Sequence, residues 1–269
     1  MIMTTLVRRL LLAFLVPLAV GVAQQKIIRD DFTKLFERYK VSGSFVLYDL
    51  KQDKYLICNE SQFNQQFSPA STFKICNSLI GLETGVIKDE NFVIKWDGIV
   101  RRAVEWNKDQ DLKTAFKNST VPYYQELARR VGGKRMKYWL NKAKYGNADT
   151  SGGIDRFWLD GGMRITPEQQ IGFLVRLYKN QLPFSQRSMD IVKRIMIAQD
   201  SVGYVLRAKT GLTEQDGKNI GWYVGYLENP AGVYFFSTCL QCADQDNLEF
   251  AIARKGITLT IFRALGLIQ

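Results

Sequence analysis

Hydrophobic residues follow two rhythms along this chain. Toward both ends they come in short strand-like runs: Ser44 to Leu50 and Tyr55 to Cys58, then Val202 to Gly211, Ile220 to Leu227 and Val233 to Leu240. Lys51-Gln52-Asp53-Lys54 separates the first pair, and Asp216-Gly217 and Asn229-Pro230-Ala231-Gly232 separate the later strands. Connections this short join antiparallel neighbours. From Ala70 to about Ile197 the strand signal almost vanishes and helical spacing takes over. Phe73, Ile75, Leu79, Ile80 and Leu82 form one such run, which stops at Gly85 as a helix with a glycine C-cap would. Thr166-Pro167-Glu168-Gln169 opens another with a threonine N-cap, a proline at the first position and a glutamine to close a capping box. Asp30 to Lys40, with Phe32, Leu35 and Phe36 on one face, and Ile257 to Leu265 add a helix near each end.

This pattern predicts a mixed α/β (α+β) fold: one antiparallel sheet formed by both chain ends and flanked by helices, with an inserted all-helical lobe. The sheet lobe takes residues from about 24–65 and 198–269, and the helical lobe about 66–197. The crevice between them is the natural place for a site.

The first 23 residues stand apart. Arg8 and Arg9 precede an apolar run from Leu10 to Val22 that Pro17 interrupts, and Gly21-Val22-Ala23 has the small-x-small form of a cleavage site. The run is shorter than a bilayer span, so it reads as a cleaved export signal over residues 1–23, with no stable membrane insertion afterwards; the rival reading is an uncleaved membrane anchor. The 46% hydrophobic content of the whole chain suits a globular domain. The formal charge of +11 falls only to about +9 without Arg8 and Arg9. Cations are interspersed with acids and no nucleic-acid motif appears, so the basic balance points to anionic small ligands or envelope surfaces and not to nucleic acid.

The chain contains no histidine. That excludes a serine-histidine-acid triad and any histidine-bound zinc. Cys58, Cys76, Cys239 and Cys242 leave disulfides open, and Cys239-x-x-Cys242 lacks the second ligand pair a metal site needs.

A different nucleophile is available in Ser71-Thr72-Phe73-Lys74. Residues three apart on a helix share a face, so Lys74 can take the proton that Ser71 must lose. Among all the serines, only Ser71 has lysine at this offset. Four further clusters are chemically suggestive: Ser119-Thr120-Val121 before Pro122, Lys209-Thr210-Gly211 at a strand end, Phe157-Trp158-Leu159-Asp160-Gly161-Gly162 in a loop, and Arg254-Lys255 opening the terminal helix. Pro122 disfavours helical geometry at Val121, which leaves Ser119 on a loop. Singly, each has an ordinary explanation: a helix N-cap, a solvated strand end, core filling, a solvated helix face.

Together and in this order they resemble the class D (oxacillinase-type) serine β-lactamases over nearly all of the chain after residue 23. Ser71-Thr72-Phe73-Lys74, Ser119-Thr120-Val121, Tyr145-Gly146-Asn147 and Lys209-Thr210-Gly211 match the family's motifs, Trp158 its loop tryptophan and Arg254 its carboxylate-binding arginine. Lys95-Trp96-Asp97-Gly98 and Trp106-Asn107-Lys108-Asp109 share its appearance. The resemblance implies the serine β-lactamase and penicillin-binding protein-like fold, and hydrolysis of penicillin-type β-lactam rings in the periplasm, giving antibiotic resistance. It implies Ser71 as nucleophile, and Lys74 as general base, carboxylated on N6 by carbon dioxide, with Trp158 steadying the carbamate. Ser119 and Lys209 would relay protons, Val121, Thr210, Gly211, Leu212 and Arg254 would bind substrate, and no metal or other cofactor would be needed. Leu212 stands where many relatives carry an aromatic residue, and Asp160 where many carry glutamate. The nearest alternative is a non-hydrolytic β-lactam sensor or penicillin-binding protein.

Overall fold

The computed structural model describes residues 24–269 apart from Gln245. The export segment read at residues 1–23 lies outside the described residues. Seven strands make the main sheet, in the order β1 (Gln25–Ile28), β3 (Lys54–Cys58), β2 (Ser42–Asp49), β9 (Gly232–Cys242), β8 (Lys218–Asn229), β7 (Tyr204–Gln215) and β6 (Ile197–Ser201). The two chain ends meet where β2 pairs with β9, from Ser42 opposite Gln241 to Asp49 opposite Tyr234. Neighbours are antiparallel except β1, which adds to β3 in parallel. That addition and the edge strand β6 carry no clear apolar alternation, because both are exposed along most of their length.

Alternation on the central strands builds two cores. Phe45 and Leu47 of β2, Tyr223 of β8 and Phe236 and Leu240 of β9 face α1 (Thr33–Arg38) and α8 (Phe250–Ala264). Val46, Trp222, Val224 and Phe235 point the other way, into the helical layer. Each fully buried side chain of this size stabilises the fold by about 1.5–3 kcal/mol. The same alternation separates Cys239 from Cys242, one in each core. All four cysteines are buried free thiols.

The helical layer contains α2 (Lys74–Glu83), a two-stranded ribbon of β4 (Val93–Ile94) and β5 (Gln110–Asp111), and α3 (Leu112–Lys117), α4 (Val121–Val131), α5 (Gly133–Ala143), α6 (Pro167–Tyr178) and α7 (Gln186–Ile195). Helix α2 is buried from Lys74 to Leu82 and stops where Gly85 takes a φ of 71°. The predicted capping box at Thr166 and Gln169 is present on both sides, at 3.0 Å each. Two boundaries differ from the expectation. Val121 is the first residue of α4, and the extended residue is Thr120, because a proline in the first helical turn gives up only an N–H with no partner inside the helix. Helix α8 begins at Phe250, seven residues before Ile257, since Phe250 and Ala253 continue the buried stripe upstream. Arg254 and Lys255 therefore sit inside the helix. No helix of the described residues is long and apolar enough to cross a membrane.

Candidate active site

The segment before α2 is a 3-10 turn, Ala70–Phe73. In that tighter winding, side chains three apart eclipse one another more closely than in an α-helix. Lys74 Nζ lies 2.6 Å from Ser71 Oγ. Lys74 is fully buried, beside Tyr124, whose ring centre is 5.3 Å from Nζ. No ion pair compensates its charge among the described residues. Burial, with Lys209 as a nearby like charge, pushes its pKa far below that of a free lysine and so favours the neutral amine, the form that can accept a proton.

Trp158 closes this pocket from the loop after α5. Its ring packs 5.2 Å from Phe73, and Phe157 packs 5.1 Å from the same ring. The backbone of that loop is tied to both walls: Ser68 Oγ donates to Leu159 O at 3.0 Å, and Thr213 Oγ1 of β7 donates to the same carbonyl at 2.8 Å. The indole N–H of Trp158 is buried without a hydrogen-bond partner. An orphan buried donor costs about 1–3 kcal/mol, and this one is suited to an anionic oxygen. A carbamate is such a group, and a neutral amine in a dry pocket is what carbon dioxide requires.

The opposite wall is the free margin of β7. Lys209 Nζ donates to Ser119 Oγ at 3.1 Å and reaches Thr210 Oγ1 at 3.4 Å. Burial, then the charges of Arg254 and Lys255, lowers Lys209 to about 7. Ser119 sits on the loop between α3 and α4 with a φ of 55°, in the left-handed region that a non-glycine residue occupies only when its surroundings hold it. Trp106 Nε1, which donates to Asn118 O at 3.1 Å, and Gln110, which accepts from Thr120 Oγ1 at 2.7 Å, hold it. Arg254 Nη1 donates to Gly211 O at 2.5 Å, and burial pulls its pKa down to about 10. Gly211 lets β7 approach closely here: a Cβ would sit 3.1 Å from Pro69 O and 3.2 Å from Thr72 Cγ2, pressing on the turn that carries Ser71.

Ser71, Lys74 and Trp158 thus line one wall, and Ser119, Lys209, Thr210, Gly211 and Arg254 the other. Val121 begins α4 just beyond Ser119, and the Leu212 side chain is exposed at the rim of β7. Tyr145-Gly146-Asn147 serves the loop more than the chemistry. Gly146 has a φ of 52° and its missing Cβ would lie 2.2 Å from Arg164 O, while Asn147 Nδ2 donates to Gly162 O at 2.9 Å and its Oδ1 accepts from Arg164 N at 2.9 Å. Asp160 pairs with Arg156 on the surface, where an ion pair adds little. Sequence reasoning missed Gln170. This fully buried α6 residue donates to Thr72 Oγ1 at 2.8 Å, and Thr72 in turn donates to Pro69 O at 2.7 Å, bracing the turn beneath Ser71. Its one signal was a polar side chain on the apolar face of α6.

Comparison with known proteins follows the same lines. The penicillin-binding protein transpeptidase domain matches residues 43–263. Beta-lactamase OXA-48 of Klebsiella pneumoniae is 44% identical over 228 residues, covering 85% of each chain. The class D β-lactamase YbXI from Nostoc is 44% identical in sequence and superposes with a TM-score of 0.85, over 89% of this chain and 100% of that one. The regulatory protein BlaR1 of Bacillus licheniformis is 35% identical across 87% of this chain, which spans 40% of that longer protein.

Proposed function

Because this chain belongs to the class D serine β-lactamases, hydrolases that open β-lactam rings, we propose that Ser71 is its nucleophile and Lys74 the base that serves both halves of the cycle. The observation that carries this is the 2.6 Å separation of the two groups inside a dry pocket. A lysine with its free pKa of about 10.4 would need roughly 4.6 kcal/mol to be neutral at pH 7, too much for an efficient base, and burial removes that barrier before substrate arrives.

In acylation Lys74 takes the Ser71 proton as Oγ attacks the lactam carbonyl. The backbone N–H groups of Ser71 and Leu212 receive the developing oxyanion, a contribution of about 3–4 kcal/mol in comparable sites. Lys209, poised near neutrality, passes a proton through Ser119 to the departing ring nitrogen. Arg254, Thr210 and Lys209 hold the substrate carboxylate, and Val121, Gly211 and Leu212 flank the ring. In deacylation Lys74 activates the water that releases the product. Carbon dioxide bound to Lys74 as a carbamate would supply a carboxylate as the proton acceptor, and Trp158 Nε1 would hold it. We further read residues 1–23 as the signal that takes the protein to the periplasm.

Mass spectrometry after a penicillin pulse tests this reading. An adduct on Ser71 that appears and clears within seconds is expected of the hydrolase. An adduct that persists for hours places the chain with the BlaR-type penicillin receptor it also resembles.

A further inference from the structure

The site continues past Lys209 and Thr210. A groove of about 800 Å³ leads away from those two residues, between α3, the end of α7 and the start of α8. Its charge is one-sided. Lys113 and Lys117 stand one turn apart on α3, and Lys255 faces them from α8. The one acid lining the groove, Glu90, is held by Arg194 at 2.8 Å and neutralises it. Among the described residues, no carboxylate pairs with Lys113, Lys117 or Lys255. Three lysines that share one cleft and lack counter-ions repel one another and concentrate a positive potential there. The field of Lys255 already reaches Lys209, which it helps to drive toward the neutral form.

We propose that this groove is a subsite for a second acidic group on the substrate, carried on the ring that also bears the carboxylate held by Thr210 and Arg254. The preferred substrates are then dianionic β-lactams. The inference rests on the proposed reading of the site, because that reading places the first carboxylate at the groove's entrance. Phe116 and Tyr223 give the substituent's stem apolar walls, and the three lysines receive its anionic end.

The test uses two cephalosporins that differ only in a terminal carboxylate or carboxamide on the ring substituent. At low salt the wild-type enzyme is expected to favour the acid about ten-fold in kcat/KM, through KM, and to lose most of that preference at high salt. Combined Lys113→Gln and Lys117→Gln substitutions, which keep the Lys255 charge beside Lys209, should remove most of the preference and leave carboxamide turnover within about two-fold. The corresponding two arginine substitutions should keep the preference. Equal wild-type turnover of both compounds, or a preference that survives in the glutamine variant, overturns the subsite while leaving the catalytic reading in place. If neither compound acylates Ser71, the catalytic reading falls and takes the subsite with it.

Discussion

Two buried lysines face each other across the crevice, and they have been discharged in different surroundings. Lys74 sits in a fully dry pocket of aromatic rings, with Ser71 as its close polar contact and burial as the main cause of its lowered pKa. Lys209 is also buried, but it keeps Ser119 and Thr210 within reach and has Arg254 and Lys255 as cationic neighbours, which leaves it near 7. The first amine is therefore biased strongly toward its neutral form, as the proposed base requires. The second can both hold and release a proton at neutral pH, which suits a relay. In both, burial is the leading cause and a like charge the second: Lys209 for Lys74, Arg254 and Lys255 for Lys209.

Lys74→Ala breaks the contrast most severely. We expect turnover to fall by about 10³-fold or more while the protein stays folded, measured as steady-state hydrolysis of a penicillin; normal hydrolysis in that variant would remove the base assignment. Lys209→Met is next in size. In the unfolded chain this lysine titrates near 10.4, and in the folded protein at about 7, so the unfolded state binds the extra proton across that window. Its burden on stability is full below pH 7 and shrinks as pH climbs toward 9.5, by roughly 4 kcal/mol at most. Unfolding midpoints of the wild type should therefore rise over that range, and Lys209→Met should flatten the rise. An unchanged pH slope would mean that Lys209 stays charged.

Trp158→Phe keeps the ring and removes the unpaired N–H. It should slow release of the acyl group by about 10- to 100-fold and its formation by less, in pre-steady-state measurements, and it should abolish any rise in melting temperature with added bicarbonate. Equal slowing of both steps would count against the steadying role. Gln170→Leu sharpens the comparison from behind. By releasing Thr72 it should lower kcat about five-fold with little change in KM when the rate is normalised to active sites titrated by the acylation burst; a fall that vanishes on that normalisation would mean simple loss of folded protein.

Much of this arrangement was legible in the residues themselves. The two hairpin groups, the helix from Lys74 to the Gly85 cap and the Thr166 capping box follow from local spacing and turn chemistry. Strands β1 and β6 did not, because an exposed edge strand has no buried face to impose alternation on its sequence. The start of α8 was obscured by Arg254-Lys255-Gly256, three residues that interrupt the apolar run yet fall on or beside its exposed side. In the site, Ser71 and Lys74 are neighbours in sequence and could be paired from spacing alone. Gln170 reaches Thr72 across 98 residues, and only packing brings such a pair together.

The central claim is that the Lys74 amine is neutral and reacts with carbon dioxide beside Ser71. The most direct measurement is carbon-13 NMR of the protein equilibrated with carbon-13 bicarbonate. One carbamate resonance is expected in the wild type, absent from Lys74→Ala and lost on acidification together with activity. A wild-type spectrum without that resonance, or the same resonance in Lys74→Ala, would contradict the account.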